Sequence, residues 1–262
     1  MLTNALAINA IEGELDATVA YCLAEEIGIE VTAFAFPKNL DNDYDDRKKR
    51  HREAVSGLRV VSLHGPFLDL YPASPDARVV ETARHRHKQG LNAASAVGAS
   101  IYVAHTGYVS LIRKASYRER FIDAMAEFWV PLAEKAAPVG ITIVLENLWD
   151  PDPDIQRAII DRAGHPAIKA SFDNGHALIF SDVPSSTWIE TLGADLAHCH
   201  LHDNDGKYDD HDTIGDGVED WPQLLDALRR FGGHALLVME SDELQANRAS
   251  LERLKELMSG DS

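Results

Sequence analysis

Short apolar runs alternate along this chain with longer segments whose apolar residues recur every three or four positions. That alternation predicts strands near 5–10, 30–36, 59–63, 100–104, 142–145, 168–172, 196–200 and 235–239, with amphipathic helices between them. The clearest helices are expected over 76–97, 117–136, 221–230 and 242–258. Glycines 28, 57, 98, 140, 164 and 233 fall where helices should stop, several of them just before a strand. Repeated βα units of this kind predict an α/β fold, a single (β/α)8 TIM barrel occupying residues 1–262 as one domain.

Composition narrows the picture. The 262 residues are 45% hydrophobic and 26% charged, ordinary for a globular chain. The sequence shows no apolar run of the ~20 residues a membrane helix needs, and Met1–Ala5 lacks the basic start of a secretory signal. No membrane association is therefore expected. Cys22 and Cys199 are too few for a disulfide framework, so both read as buried apolar residues in a reduced, cytoplasmic setting. The net charge of −17 opposes binding to a phosphate backbone. The expected partner is a small molecule and not a nucleic acid; the sequence assigns no oligomeric state.

The chemistry lies at the strand ends. From the third strand onward they carry His64, His105, Glu146, Asp173, His200 and Glu240. A barrel gathers all of its strand C-termini on one face, so these residues should meet. His176, Asp209 and His211 follow in the adjoining loops, completing a set of nine. Imidazole nitrogen and carboxylate oxygen suit a hard or borderline divalent ion, zinc or manganese above all. Nine donors exceed the needs of one ion, so one to three are expected, with Glu146 as a bridge. His198, His200 and His202 alternate along strand seven and should all face inward. His200 is read as the ligand, His198 as a hydrogen-bonded core residue, and His202 as a support for the ligands or a substrate contact.

The stretches Leu63-His64-Gly65-Pro66-Phe67, Val103-Ala104-His105-Thr106-Gly107, Leu145-Glu146-Asn147, Asp173-Asn174-Gly175-His176, His200-Leu201-His202-Asp203, Asp209-Asp210-His211 and Met239-Glu240 resemble the xylose isomerase-like TIM-barrel superfamily. It includes sugar and sugar-phosphate isomerases and epimerases, and the endonuclease IV (AP endonuclease 2) family. The resemblance implies that Glu146, Asp173, His200 and Glu240 hold a catalytic ion. It further implies that His64 and His105, sharing Glu146, hold a second, and that His176, Asp209 and His211 hold a third. Where the endonuclease places a basic residue that enters damaged DNA, this chain has the acidic run from Asp41 to Asp46, so action on abasic DNA is not expected.

Two activities follow from the resemblance. One is isomerisation or epimerisation of a small sugar or sugar phosphate, with Glu146 and Glu240 as the catalytic acid–base pair. The other is multinuclear hydrolysis of a small phosphoester, which gives the extra donors a purpose. Phe67, Trp149, His202 and Lys207 are the expected substrate-binding residues; Lys207 is the one cation placed to hold a phosphate. Asp150 is a further candidate for the pocket wall. Asp203, Asn204 and Asp205 read as turn chemistry or substrate contacts, and Gly215-Asp216-Gly217 as an entry turn to a helix. The basic run from Arg47 to Arg52 reads as acid–base pairing along a helix, while His51, His85, His87, His165 and His234 read as surface residues.

Overall fold

The structure, a computed structural model, describes residues 4–11 and 13–260. Residues 1–3, 12, 261 and 262 of the expected domain lie outside the described residues, as does most of the N-terminal stretch read for a leader. In chain order the elements are β1 (Leu6–Asn9), α1 (Leu15–Glu25), β2 (Gly28–Val31), α2 (Pro37–Asp41), α3 (Tyr44–Val55), β3 (Val61–His64) and α4 (Ala77–Val97). There follow β4 (Ile101–His105), α5 (Ala115–Ala136), β5 (Thr142–Glu146), α6 (Asp154–Ala163), β6 (Ile168–Asp173), α7 (Asn174–Phe180) and α8 (Ser185–Leu192). β7 (Leu196–Leu201), α9 (Trp221–Phe231), β8 (Leu236–Met239) and α10 (Leu244–Ser259) complete the chain. The strands are parallel and close in the order β1 to β8, with β8 pairing back onto β1. This is a (β/α)8 TIM barrel.

Local chemistry explains the rhythm. Helix α4 ends at Gly98 and α6 at Gly164, both in the left-handed region, which glycine enters without steric cost. The apolar core lies between the strands and the surrounding helices. Phe121, Met125, Phe128, Trp129 and Leu132 of α5 are all buried there, each adding roughly 1.5–3 kcal/mol.

Strand two differs from the expected 30–36. The strand is Gly28–Val31, and Ala33–Ala35 form a 3₁₀ turn leading to Pro37 at the start of α2. Proline favours the first helical turn and holds the preceding residue extended, so this apolar run turns instead of continuing the sheet. Gly28 consequently opens a strand and does not stop a helix; α1 is closed by Glu26. A Cβ at residue 28 would press on Val60, which accounts for the glycine. The new register pairs Glu30 with Asn9 and Ser62 and buries Glu30 completely inside the barrel.

Two histidines expected on the surface are buried. His51 donates to the Arg47 carbonyl and packs against Phe34. His87 shares a hydrogen bond with the Tyr102 hydroxyl and packs against Phe128 and Trp129. Burial holds its imidazole down at about 3. Both free thiols are buried, and burial pushes each up to about 12. In the basic run, Lys48 pairs with Asp45 at 2.8 Å. Between β6 and β7 the pairing slips, from Ala170 with Leu196 to Ser171 with His198, one extra residue in β7 forming a bulge.

Candidate metal centre

The strand C-termini deliver the expected residues to one place. β3, β4, β5 and β6 end on His64, His105, Glu146 and Asp173; His200 is the penultimate residue of β7, and Glu240 directly follows β8. At the centre, His200 Nδ1 lies 3.2 Å from Glu146 Oε2, 3.6 Å from Asp173 Oδ2 and 3.1 Å from Glu240 Oε2. His105 Nε2 is 3.3 Å from Glu146 Oε1, and His64 Nε2 is 3.8 Å from Glu146 Oε2. One carboxylate therefore faces two groups of imidazoles.

Three buried ligand-type atoms from three strands, Glu146 Oε2, Asp173 Oδ2 and His200 Nδ1, have no hydrogen-bond partner. Leaving one such group unsatisfied costs about 1–3 kcal/mol, so their convergence needs an explanation. The neighbouring hydrogen bonds supply part of it. His64 donates through Nδ1 to the Gly65 carbonyl, and His176 through Nδ1 to the Asn147 carbonyl. His200 donates through Nε2 to Glu30 at 2.7 Å. Each ring thereby turns its other nitrogen towards the carboxylates, where a cation can take the place of a proton, as in metal-ligating histidines. Asp173 Oδ1 caps α7 by accepting from the His176 amide, leaving Oδ2 for the centre. Asn147 clamps the end of β6 with two hydrogen bonds to the Asp173 backbone. The residues fit a divalent ion.

Electrostatics agree with that reading. Burial alone would raise the Glu146 carboxyl, but His200 and His105 hold it well below the usual carboxylate range. Burial would lower His176, but Asp173, Asp209 and Glu146 raise it to about 10. The carboxylates make a strongly negative well in which a cation, or protons on imidazole, is stabilised.

The expected third group is looser. His176 Nε2 lies 3.3 Å from Asp209 Oδ2, and His211 Nε2 lies 3.5 Å from the same oxygen. Asp209 links the two rings, but the three do not close into one mutual cluster of ligand atoms; His202, His211 and Glu240 do.

Above the centre is a cavity of about 910 Å³. Phe36, Phe67, Tyr71 and Trp149 supply its aromatic wall, and Asp69, Asp209, Glu240 and Asp242 its acidic side. Among the described residues lining it there is no Lys or Arg. Phe67 and Trp149 thus lie where substrate contact was expected. Two expectations are corrected. His202 is fully buried against Asp173 and His211 and does not line the cavity. Lys207 is exposed, off the cavity, and bound to Asp205. Asp150 is buried behind the wall, accepting from Thr106 and the Leu148 amide. Asp203 accepts from Gly215, Glu219 and Trp221, and so shapes the loop that carries Asp209 and His211.

Glu30 was not anticipated. Its carboxylate accepts from Ser62 Oγ, His198 Nε2 and His200 Nε2 at 2.9, 3.0 and 2.7 Å. His198, the expected core residue, is hydrogen-bonded to Ser171 as well. The signal was a lone acid inside the apolar triplet Ile29-Glu30-Val31.

Residues 23–257 match the family described as Xylose isomerase-like TIM barrel. The uncharacterized protein MJ1311 of Methanocaldococcus jannaschii is 27% identical over 244 residues, covering 90% of this chain and 80% of that one. The TTHB071 protein from Thermus thermophilus, in a structure soaked with ZnCl2, superposes with a TM-score of 0.80 at 27% identity, covering 99% and 98% of the two chains. A D-tagatose 3-epimerase-like protein shares the fold with a TM-score of 0.77 at 23% identity, covering 97% of each chain. So does a D-psicose 3-epimerase crystallised in the presence of D-fructose, with a TM-score of 0.77 at 16% identity over 98% of this chain and all of that one.

Proposed function

The chain belongs to the xylose isomerase-like TIM barrel family, and from that premise we propose that it is a divalent-metal-dependent isomerase or epimerase of a small sugar. The observation that carries this reading is the convergence of Glu146, Asp173 and His200, with unpartnered ligand atoms, beside Glu240 at the cavity floor. A zinc or manganese ion there would polarise a substrate carbonyl and acidify the adjacent C–H. Glu146 and Glu240, arriving on strands that are not neighbours in the barrel, would remove and return the proton as general base and acid. Phe67 and Trp149 pack on the apolar face of the sugar and keep water from the reacting carbon.

The cavity wall favours a free sugar over a phosphorylated one. A phosphate dianion would meet Asp69, Asp209 and Asp242 and no Lys or Arg among the described lining residues. Neighbours named as sugar epimerases support the same class of substrate.

A second reading, hydrolysis of a small phosphoester at a multinuclear centre, is favoured by the donors beyond the four-residue set. His64, His105 and Glu146 form a further mutual cluster. Elemental analysis of the purified protein, with a turnover screen of ketoses, sugar phosphates and phosphodiesters, separates the two. Metal-dependent epimerisation of a free ketose is the expected result. Phosphodiesterase activity without sugar turnover would reverse the choice. Glu146→Gln and Glu240→Gln should each lower kcat by ~10²–10⁴, the usual contribution of a general acid or base.

A further inference from the structure

We propose that His202, His211 and Glu240 form a second cation site beneath the cavity floor, in place of the expected group of His176, Asp209 and His211. The proposal rests on the metal dependence proposed above, but not on the identity of the substrate.

His202, His211 and Glu240 each offer a ligand atom, and the three atoms lie within 4.8 Å of one another. His202 is fully buried, yet its Nδ1 has no hydrogen-bond partner and its Nε2 faces only the Asp173 carboxylate, at 3.3 Å. A fully buried imidazole nitrogen without a partner is rare in folded proteins, and here the ring is held where it stands. The Asn174 side chain latches the His202 backbone, accepting from its amide at 3.1 Å and donating to its carbonyl at 2.9 Å. Gly175 leaves the space the ring fills, since a Cβ at residue 175 would collide with all three nearest ring atoms of His202.

The donors around it suit a cation. Asp173 Oδ1 lies 3.3 Å from His202 Nε2, while Asp173 Oδ2 faces His200 Nδ1 at 3.6 Å. Asp173 and Glu240 therefore each stand between the first centre and the second. The His211 ring, its centroid 4.5 Å from that of His202, lines the cavity, so the site has one wall open to it. His211 also has Asp209 at 3.5 Å and Asp242 at 3.8 Å. Two imidazoles with carboxylate oxygen are a zinc, manganese or cobalt donor set. The expected third group lacks this closure: its members meet only through Asp209, whose side chain is more than one-third exposed.

The test is to strip the protein of metal, load it with zinc, count bound zinc after gel filtration, and locate it by anomalous diffraction at the zinc edge. Two peaks are expected, one among Glu146, Asp173 and His200 and one among His202, His211 and Glu240. His202→Gln should lose the second peak and one zinc ion per chain while keeping the first; His176→Gln should keep both. Should His202→Gln fail to fold by circular dichroism, His211→Gln, at the cavity surface, carries the same expectation. A wild-type map with the first peak alone would overturn the second site and leave the proposed function standing. A peak among His176, Asp209 and His211 that His176→Gln removes and His202→Gln spares would also overturn it. No zinc at all would overturn both proposals.

Discussion

Replacing Glu30 tests whether the orientation of His200 is built into the barrel. Glu30 touches no cavity atom; its carboxylate accepts from His200 at 2.7 Å, His198 at 3.0 Å and Ser62 at 2.9 Å. Glu30→Met keeps the length of the side chain and removes every acceptor. The His200 Nε2–H then points at a thioether, and the proton is as easily held on Nδ1, where it would face Glu146 and Glu240 and block a ligand bond. Losing such an outer hydrogen bond costs about 10–100-fold in metal affinity, or about 1.4–2.8 kcal/mol. Glu30→Gln should behave differently. Its oxygen can still accept from His200 if its amide faces Ser62 and His198, because His198 can instead donate through Nδ1 to Ser171. The glutamine variant should therefore bind zinc within about tenfold of wild type. Calorimetric titration of metal-free protein, with folding checked by circular dichroism, measures both. A folded Glu30→Met that binds zinc as tightly as wild type would refute the reasoning. Equal losses in both variants would show that the charge of Glu30, not its direction, is what matters.

Three further outcomes follow from the site and its supports. Trp149→Ala removes an exposed part of the cavity wall and should raise KM about 2–10-fold with kcat little changed, the range of one aromatic contact; an unchanged KM would take Trp149 out of the wall's function. Burial raises the Asp150 carboxyl to about 6, so the native state binds more protons than the unfolded chain between about pH 4 and 6. Stability from this group is full below that window and lost as pH rises through it, by about 3 kcal/mol. The stability difference between Asp150→Asn and wild type should accordingly shift in favour of the variant from pH 4 to pH 8, and denaturant midpoints at the two pH values check it. Gly175→Ala forces a methyl group into the His202 ring and should cost about 1–3 kcal/mol; thermal unfolding that matches wild type would show that the ring can move aside.

The barrel and most of its mouth were legible in the sequence because parallel strands turn period and position into geometry. A strand followed by His, Glu or Asp at its end can point that residue only to the C-terminal face, and His64, His105, Glu146, Asp173 and Glu240 arrived accordingly. Glu30 escaped because its side chain acts from within the strand, and its depth depends on register, which reading Thr32 to Phe36 as strand misplaced. His87 escaped for a different reason. It shares the buried face of α4 with Ala83, Gly90, Ala94 and Val97, so helical spacing marked it as inward, but its titratable ring suggested solvent. Lys207 was placed near the site by sequence distance alone, and the turn held by Asp205 carries it away. His202 required the packing against Gly175, which strand periodicity does not contain.

The slip between β6 and β7 gives the centre an arithmetic dependence. One surplus residue brings His198 level with Ser171 and His200 level with Asp173. Substitutions along β7 leave that pairing intact, because it is set by the bulge and not by any one side chain. Were Ala197 paired with Ser171 in place of His198, a slip of one residue, the whole column of imidazoles would turn towards the helices and bring Cys199 and Leu201 inward.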